Sequence, residues 1–310
     1  MLPVVGVDLG GTNLRAAYFP TGQPPAERTL RVATPAAEGV EAVLLAIADA
    51  VRELTRDPLP KNLRLAVAAP GPLDPVSGLV FHAPNLPGWI NVPLRARLEQ
   101  LLGCHVRVGN DANLAALGEW RYGAGKGVGN LLYLTISTGI GGGVIAGGKL
   151  LTGFRGLASE PGHLPVLPGG PMCSCGKVGH LEAIASGTGI ARRAKELLAA
   201  GEASTLRGDP DSESVARAAN QGDALATRVL VEAGQMLGRA LAGLVHVFNP
   251  ERIVLGGGVI RAGEVFLRPT RLALQAEVMD PAFLQDVDLV EADLGDDSGM
   301  MGALVLATTE

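Results

Sequence analysis

Three glycine turns, each closing a short apolar run, limit what this chain can fold into more than any other feature. Val4–Val7 runs into Asp8-Leu9-Gly10-Gly11-Thr12-Asn13 and out through Leu14–Phe19. Leu131–Ile136 runs into Ser137-Thr138-Gly139-Ile140-Gly141-Gly142-Gly143 and out through Val144–Ala146. Arg252–Leu255 ends in Gly256-Gly257-Gly258. Short apolar runs bounded by turn residues read as buried strands. Turns without side chains let backbone N–H groups approach an anion closely. Each turn alone reads as a tight β-turn, but the three together point to nucleotide phosphates. None is a P-loop, because no Lys is followed by Ser or Thr. Gly141-x-Gly143-x-x-Ala146 has dinucleotide spacing but leads into a strand where that motif needs a helix.

Composition removes other classes. The 310 residues carry a net charge of −5, and 4% are aromatic, which excludes a phosphate-backbone binder working through bulk positive charge and a base-stacking platform. Apolar residues make up 47%, enough for a large core in one domain or two. Three cysteines are too few for a disulfide scaffold, but Cys173 and Cys175 sit together and suggest a metal or redox site. The opening residues have no basic segment followed by a long apolar one, so a cytoplasmic chain is expected. The uncharged stretch Gly127–Gly148 is long enough to span a membrane, but its glycines, Thr and Ser read as strand, turn and strand, so no membrane partner is expected.

Elsewhere, Gly39–Leu54 has helical periodicity, with Val40, Val43, Leu44 and Ile47 on one face. Leu63–Ala69 reads as a strand, Leu94–Leu102 as a helix stopped by Gly103, and Val106–Val108 as a strand followed by helix Asn113–Tyr122. Leu150–Gly179 is loop-rich, Leu181–Val247 is mostly helical, and Gly299–Leu306 forms a last apolar helix. The strand–glycine turn–strand element near Leu131 repeats the opening one, which predicts a duplicated architecture with glycine loops facing each other across a cleft.

Two carboxylates stand out. Asp8 ends a strand beside the first turn; it either accepts N–H bonds from that turn or holds Mg²⁺ through water next to a phosphate. Asp111 lies between a strand and a helix, as a helix cap or as a general base at a sheet's carboxyl edge. Its neighbours Asn110 and Asn113 are candidates for holding a polyol.

DLGGTN at 8–13, GNDAN at 109–113, STGIGGG at 137–143, EPGH at 160–163, CSCGKVGHLE at 173–182 and LGGG at 255–258 occur in order. In these motifs the chain resembles, nearly end to end, the ROK family (repressors, open reading frames, kinases) and within it the bacterial glucokinases and hexokinases. The resemblance implies an α/β, actin-like (ribonuclease H-like) two-domain sugar kinase fold with a central cleft. Residues 1–109 with 299–310 would form a smaller α/β domain, and 110–298 a larger one with a zinc-binding loop. It implies Asp111 as catalytic base, with Asn85, Asn110, Glu160, His163 and Glu182 on sugar hydroxyls. Gly10, Gly11, Thr12, Thr138 and Gly139 would lie along the ATP phosphates, and Gly256 and Gly257 near the adenosine. His163, Cys173 and Cys175 match zinc ligands; His180 stands where the family usually has a third Cys and supplies a fourth. Two thiolates and two imidazoles make a common zinc set, and Gly176 and Gly179 let the chain curl back to His180.

The implied reaction is ATP- and Mg²⁺-dependent phosphorylation of a hexose, glucose first. A kinase for mannose, fructose, N-acetylglucosamine or N-acetylmannosamine, or a sugar sensor without chemistry, are the alternatives. A homo-oligomer, dimer or tetramer, is implied by the family alone. The family's repressors carry a DNA-reading helix pair ahead of the first motif; seven residues precede Asp8, so no nucleic-acid partner is expected.

Overall fold

The computed structural model describes residues 2–56 and 58–309. β1 (Val4–Leu9) turns back into β2 (Asn13–Phe19), which pairs with β3 (Arg28–Ala33). Helix α1 (Val40–Thr55) then returns the chain to β4 (Arg64–Ala69), parallel to β1. A small sheet follows, of β5 (Leu73–Asp74), β6 (Leu79–His82) and β7 (Ile90–Pro93). Helix α2 (Leu94–Leu102) ends at Gly103, whose left-handed φ of 63° closes it as the sequence predicts. β8 (His105–Asn110) completes a sheet of order β3-β2-β1-β4-β8.

The second half repeats that plan. Helix α3 (Asp111–Tyr122) leads to β9 (Leu131–Ile136), β10 (Ile140–Ala146) and β11 (Lys149–Leu150). After the loop-rich stretch come α4 (Leu181–Ala185), α5 (Gly187–Ala199), α6 (Ser212–Asn220) and α7 (Ala224–Phe248). β12 (Arg252–Gly256), α8 (Glu264–Glu277), β13 (Asp288–Glu291) and α9 (Ser298–Thr308) finish the chain. The sheet order β11-β10-β9-β12-β13 matches the first sheet strand for strand, with the same directions. The expected duplication is therefore present. No helix of the described residues is long and apolar enough to cross a membrane, and Gly127–Gly148 is largely the β9–β10 hairpin.

One expectation needs correction. The second glycine turn is Ser137–Gly139 only; Ile140–Gly143 already belong to β10. Those glycines are there for space: a Cβ on Gly141 would meet Ala112 Cβ at 2.7 Å, and one on Gly142 would meet Pro161 Cγ at 2.6 Å. The sequence reading leaves the small sheet, α8 and β13 unassigned, although α8 buries Phe266, Leu267, Thr270 and Leu274 on one helical face.

One apolar cluster lies under α1 and α2 on the first sheet, and another under α4 to α8 on the second. Between them a third gathers around α3 and α9. These two helices are exchanged: α3 leaves the first sheet and packs on β9 and β10, while α9 leaves the second and packs on β1 and β4. They cross so closely that a Cβ on Gly118 would run into the Ser298 carbonyl, and one on Gly302 into the Leu114 carbonyl.

Candidate active site

The parallel strands of both sheets point their carboxyl ends at one cleft of about 720 Å³. Open α/β sheets place ligands at that edge. Asp8 and Asp111 come from the first sheet; Thr138, Gly139, Gly256 and Gly257 come from the second. Asn85 and Glu182 complete this part of the wall. Gly10, Gly11, Thr12, Asn110, Glu160 and His163 are not in it, but Gly11 is packed against Asn85, 2.8 Å from the place a Cβ would occupy.

Asn110 caps α3: its Oδ1 accepts the Asn113 N–H at 3.0 Å, and its Nδ2 donates to the Gly71 carbonyl at 3.2 Å. The capping role entertained for Asp111 thus belongs to its neighbour. Asp111 Oδ1 accepts only the adjacent Ala112 N–H, at 2.8 Å. Burial pushes its carboxyl up to about 6; the Ala112 N–H opposes this, and the charges of Asp8 and Glu160 add to it. A carboxylate tuned upward at a cleft suits a general base near neutral pH. Asn113 is 5% exposed and absent from the cleft wall, with its Oδ1 beside Gly143 and without a hydrogen-bond partner among the described residues.

Burial also raises Asp8; Arg15 opposes this, while Asp296 and Asp297 reinforce it. Its turn is closed by Gly10 N–H to the Asn13 carbonyl at 3.0 Å, and among the described residues no donor bonds the Asp8 carboxylate. The cation reading of Asp8 fits this arrangement better than the turn reading.

Glu160 precedes a short turn at Pro161–His163, seated on the β10 glycines. Burial raises its carboxyl; His163 lowers it and Glu182 raises it. Glu182 Oε2 accepts the Ile140 N–H at 3.0 Å and Oε1 accepts the Ser174 hydroxyl at 2.9 Å. It therefore ties the Cys173–Cys175 loop to the Ser137–Gly139 turn.

The ligand atoms of His163, Cys173, Cys175 and His180 all lie within 4.8 Å of one another. Cys173 Sγ is 3.6 Å from His163 Nδ1, and Cys175 Sγ is 3.3 Å from His180 Nδ1. Such separations suit four ligands about one tetrahedral ion at the usual zinc bond lengths. His163 thus turns Nδ1 to the thiols and leaves Nε2 available.

A second cavity of about 810 Å³ adjoins the cleft through Ser137, Thr138 and Gly258, and runs between α5 and Pro210–Ser212. Sequence reading missed Arg15, Asp296 and Ser298 in the cleft wall. Arg15 had a signal, as a lone cation in an otherwise apolar strand. Asp296 and Ser298 had none, since only the exchange of α9 brings them to Asp8.

The ROK family model matches residues 4–310. A glucokinase of Thermotoga maritima is 38% identical over 308 residues, 97% of this chain and 96% of that protein. Among solved structures, a ROK hexokinase from Thermus thermophilus is 39% identical with a TM-score of 0.82, covering 99% of this chain and 98% of that one. A ROK family glucokinase from Streptomyces griseus in complex with glucose and AMPPNP is 33% identical with a TM-score of 0.80, covering 98% and 99%.

Proposed function

The chain belongs to the ROK family, and on that footing we propose that it transfers the γ-phosphoryl group of ATP to a hexose, with the 6-hydroxyl of glucose as acceptor. The observation that carries this reading is Asp111, a carboxyl raised to about 6 at the edge of one sheet, facing glycine turns of the other across a single cleft. Asp111 takes the hydroxyl proton as the sugar oxygen attacks in line. Such a base contributes about 10²–10⁴-fold, and positioning and charge neutralisation supply most of the rest.

Glu160, Glu182, Asn85, Asn110 and the free Nε2 of His163 hold sugar hydroxyls. Thr138, Gly139 and the Gly10–Thr12 turn lie along the phosphates, and Gly256 and Gly257 at the adenosine, whose base extends toward the 810 Å³ cavity. Asp8 would hold, through water, a Mg²⁺ ion arriving with the nucleotide, which would neutralise phosphate charge. His163, Cys173, Cys175 and His180 would hold zinc, which would stiffen the loop that presents Glu160 and Glu182. Residues 1–109 with 299–310 close on 110–298 to exclude water. A second copy of the chain completes a homo-oligomer, as the family resemblance implies.

Glucose is favoured over other hexoses by the glucokinase relative and the glucose complex above. A coupled ATP assay across glucose, mannose, fructose, N-acetylglucosamine and N-acetylmannosamine, ranked by kcat/KM, tests this. Glucose is expected at the top. A different leader replaces the substrate, and sugar binding without turnover replaces the enzyme by a sensor.

A further inference from the structure

Glu119 lies on the same helix as Asp111, is 0% exposed, and is absent from the cleft wall. Its oxygens are fully engaged. Oε2 accepts the N–H groups of Ala124 at 2.9 Å and Asp293 at 3.1 Å; Oε1 accepts the Leu294 N–H at 2.8 Å and the Ser298 hydroxyl at 2.9 Å. Three of these four donors belong to the link between β13 and α9 or to the first residue of α9. The same stretch puts Asp296 and Ser298 into the cleft wall and sets Gly299 against the Asp8 carboxyl, 3.1 Å from the place a Cβ would occupy. Arg15 Nη1 fixes the stretch from the other side, donating to the Asp296 carbonyl at 2.5 Å. Gly123 leaves the room, since a Cβ there would run into Glu119 Oε2.

A buried carboxylate is costly unless its lone pairs are filled, and here four donors fill them. We infer that Glu119 is a positioning residue: it locks the 293–298 link to the helix that bears Asp111, and so sets the nucleotide side of the cleft relative to the base. The inference rests on the kinase reading above. The sugar side, built from Glu160 and the metal loop, makes no bond to this network.

Glu119→Gln keeps the volume, but whichever way the amide turns its NH₂ group faces at least one backbone N–H donor, that of Leu294 or those of Ala124 and Asp293, which loosens part of the link. Glu119→Gln and Ser298→Ala are compared with the unmodified chain. Readouts are KM for MgATP, kcat per folded protein, and Kd for glucose and for a non-hydrolysable ATP analogue by calorimetry. Glu119→Gln is expected to weaken nucleotide binding about tenfold and lower kcat, with glucose Kd within about twofold. Ser298→Ala, which removes one of the four bonds, is expected to shift nucleotide Kd in the same direction by about two- to threefold. Lower stability with both Kd values unchanged overturns the inference, and so does an equal loss for glucose and nucleotide. If Glu119→Gln does not fold, Ser298→Ala decides alone, and unchanged nucleotide affinity overturns it. An unmodified chain that phosphorylates no hexose defeats the functional reading instead, while the nucleotide Kd values still judge Glu119.

Discussion

β2 and β10 occupy the same place in the two sheets, yet they are built differently. On β2 the residue opposite Asp8 is Arg15, so this hairpin projects an acid and a cation into the cleft. On β10 the residue opposite Thr135 is Gly141, against Ala112 of α3. The second copy has given up side chains so that the helix bearing Asp111 can lie on it. The first sheet makes such concessions at Gly6, where a Cβ would stand 3.0 Å from the Met300 carbonyl of α9, and at Gly109, where it would stand 2.8 Å from the Leu114 side chain of α3. One plan thus supplies charged groups from its first copy and close-packed backbone from its second. Phosphoryl transfer needs both, a base for the acceptor and a preorganised cradle for the donor.

The largest expected effect comes from removing the carboxylate that opens α3. Asp111→Asn should lower kcat by about 10²–10⁴-fold or more while leaving glucose Kd nearly unchanged. Asn110 continues to cap the helix in that variant, so fold and chemistry are separated. A kcat near that of the unmodified chain would mean the first copy supplies no base at this position.

Next comes the seam that joins the copies. Gly302→Ala and Gly118→Ala each drive a methyl into a carbonyl of the facing helix. Overpacking of this kind costs roughly 1–3 kcal/mol, and rigid backbone on both sides argues for the upper end. Gly243→Ala on α7, with nothing within 4 Å, is the control and should be neutral or stabilising by about 1 kcal/mol. Urea unfolding of the three variants measures the contrast. Equal stabilities would show that α3 and α9 do not cross at these glycines.

The loop that carries Cys173 and Cys175 belongs only to the second copy. Elemental analysis is expected to find one zinc per chain, and Cys175→Ala to lose it and raise the glucose KM about tenfold. Active enzyme purified free of metal would end the proposal. His180→Ala with unchanged zinc content would remove only the fourth ligand.

Strand ends and glycines made much of this readable in advance. Asp8, Asp111, Thr138 and Gly256 each follow an apolar run, and a β-strand's carboxyl end is a position that sequence can locate. The repeat was visible because both hairpins carry paired glycines. What sequence could not separate was a glycine that turns from one that yields room, as Gly141 and Gly142 do, because that depends on which helix lies above. Asn110 and Asp111 were hard to tell apart for a related reason. Both residue types cap helices, and one step along the chain decides which side chain points back at the N–H groups. Glu119 and Ser298 meet only through the exchange of the two helices, 179 positions apart in the chain.

The raised carboxyl of Asp111 gives two pH signatures. Activity should fall on an acid limb near pH 6 as the base is protonated, and the limb should vanish in the residual activity of Asp111→Asn. Stability runs the other way. The folded-state value of about 6 lies above the ordinary 3.8, so the native state holds the proton more tightly and stability declines as pH rises through that interval. Asp111→Asn should therefore raise stability at pH 7–8 by on the order of 2 kcal/mol and add nothing below about pH 4. Thermal unfolding of both proteins at the two pH values tests the sign. A gain of equal size at both would exclude ionisation as its cause.

The smallest effects distinguish the two acids beside the metal loop. Glu160 makes no hydrogen bond that ties it to the Ser137–Gly139 turn, so Glu160→Gln should raise the KM for glucose about fivefold and leave that for ATP alone, the loss of one charge-assisted bond. Glu182 stands differently. One of its oxygens takes the Ile140 N–H, next to Gly139, and the other takes the Ser174 hydroxyl beside the thiols. An amide oxygen keeps the Ile140 N–H and its NH₂ can donate to the Ser174 hydroxyl, but neither contact is then charge-assisted, so the tie between the Ser137–Gly139 turn and the loop weakens. Glu182→Gln should then raise both KM values by a few-fold, with the ATP effect absent from Glu160→Gln. If both variants act on glucose alone, Glu182 serves only as a sugar ligand and its bond to Ile140 is incidental. If both act on the two substrates alike, the loop and the turn move as one body and neither acid belongs to a single substrate.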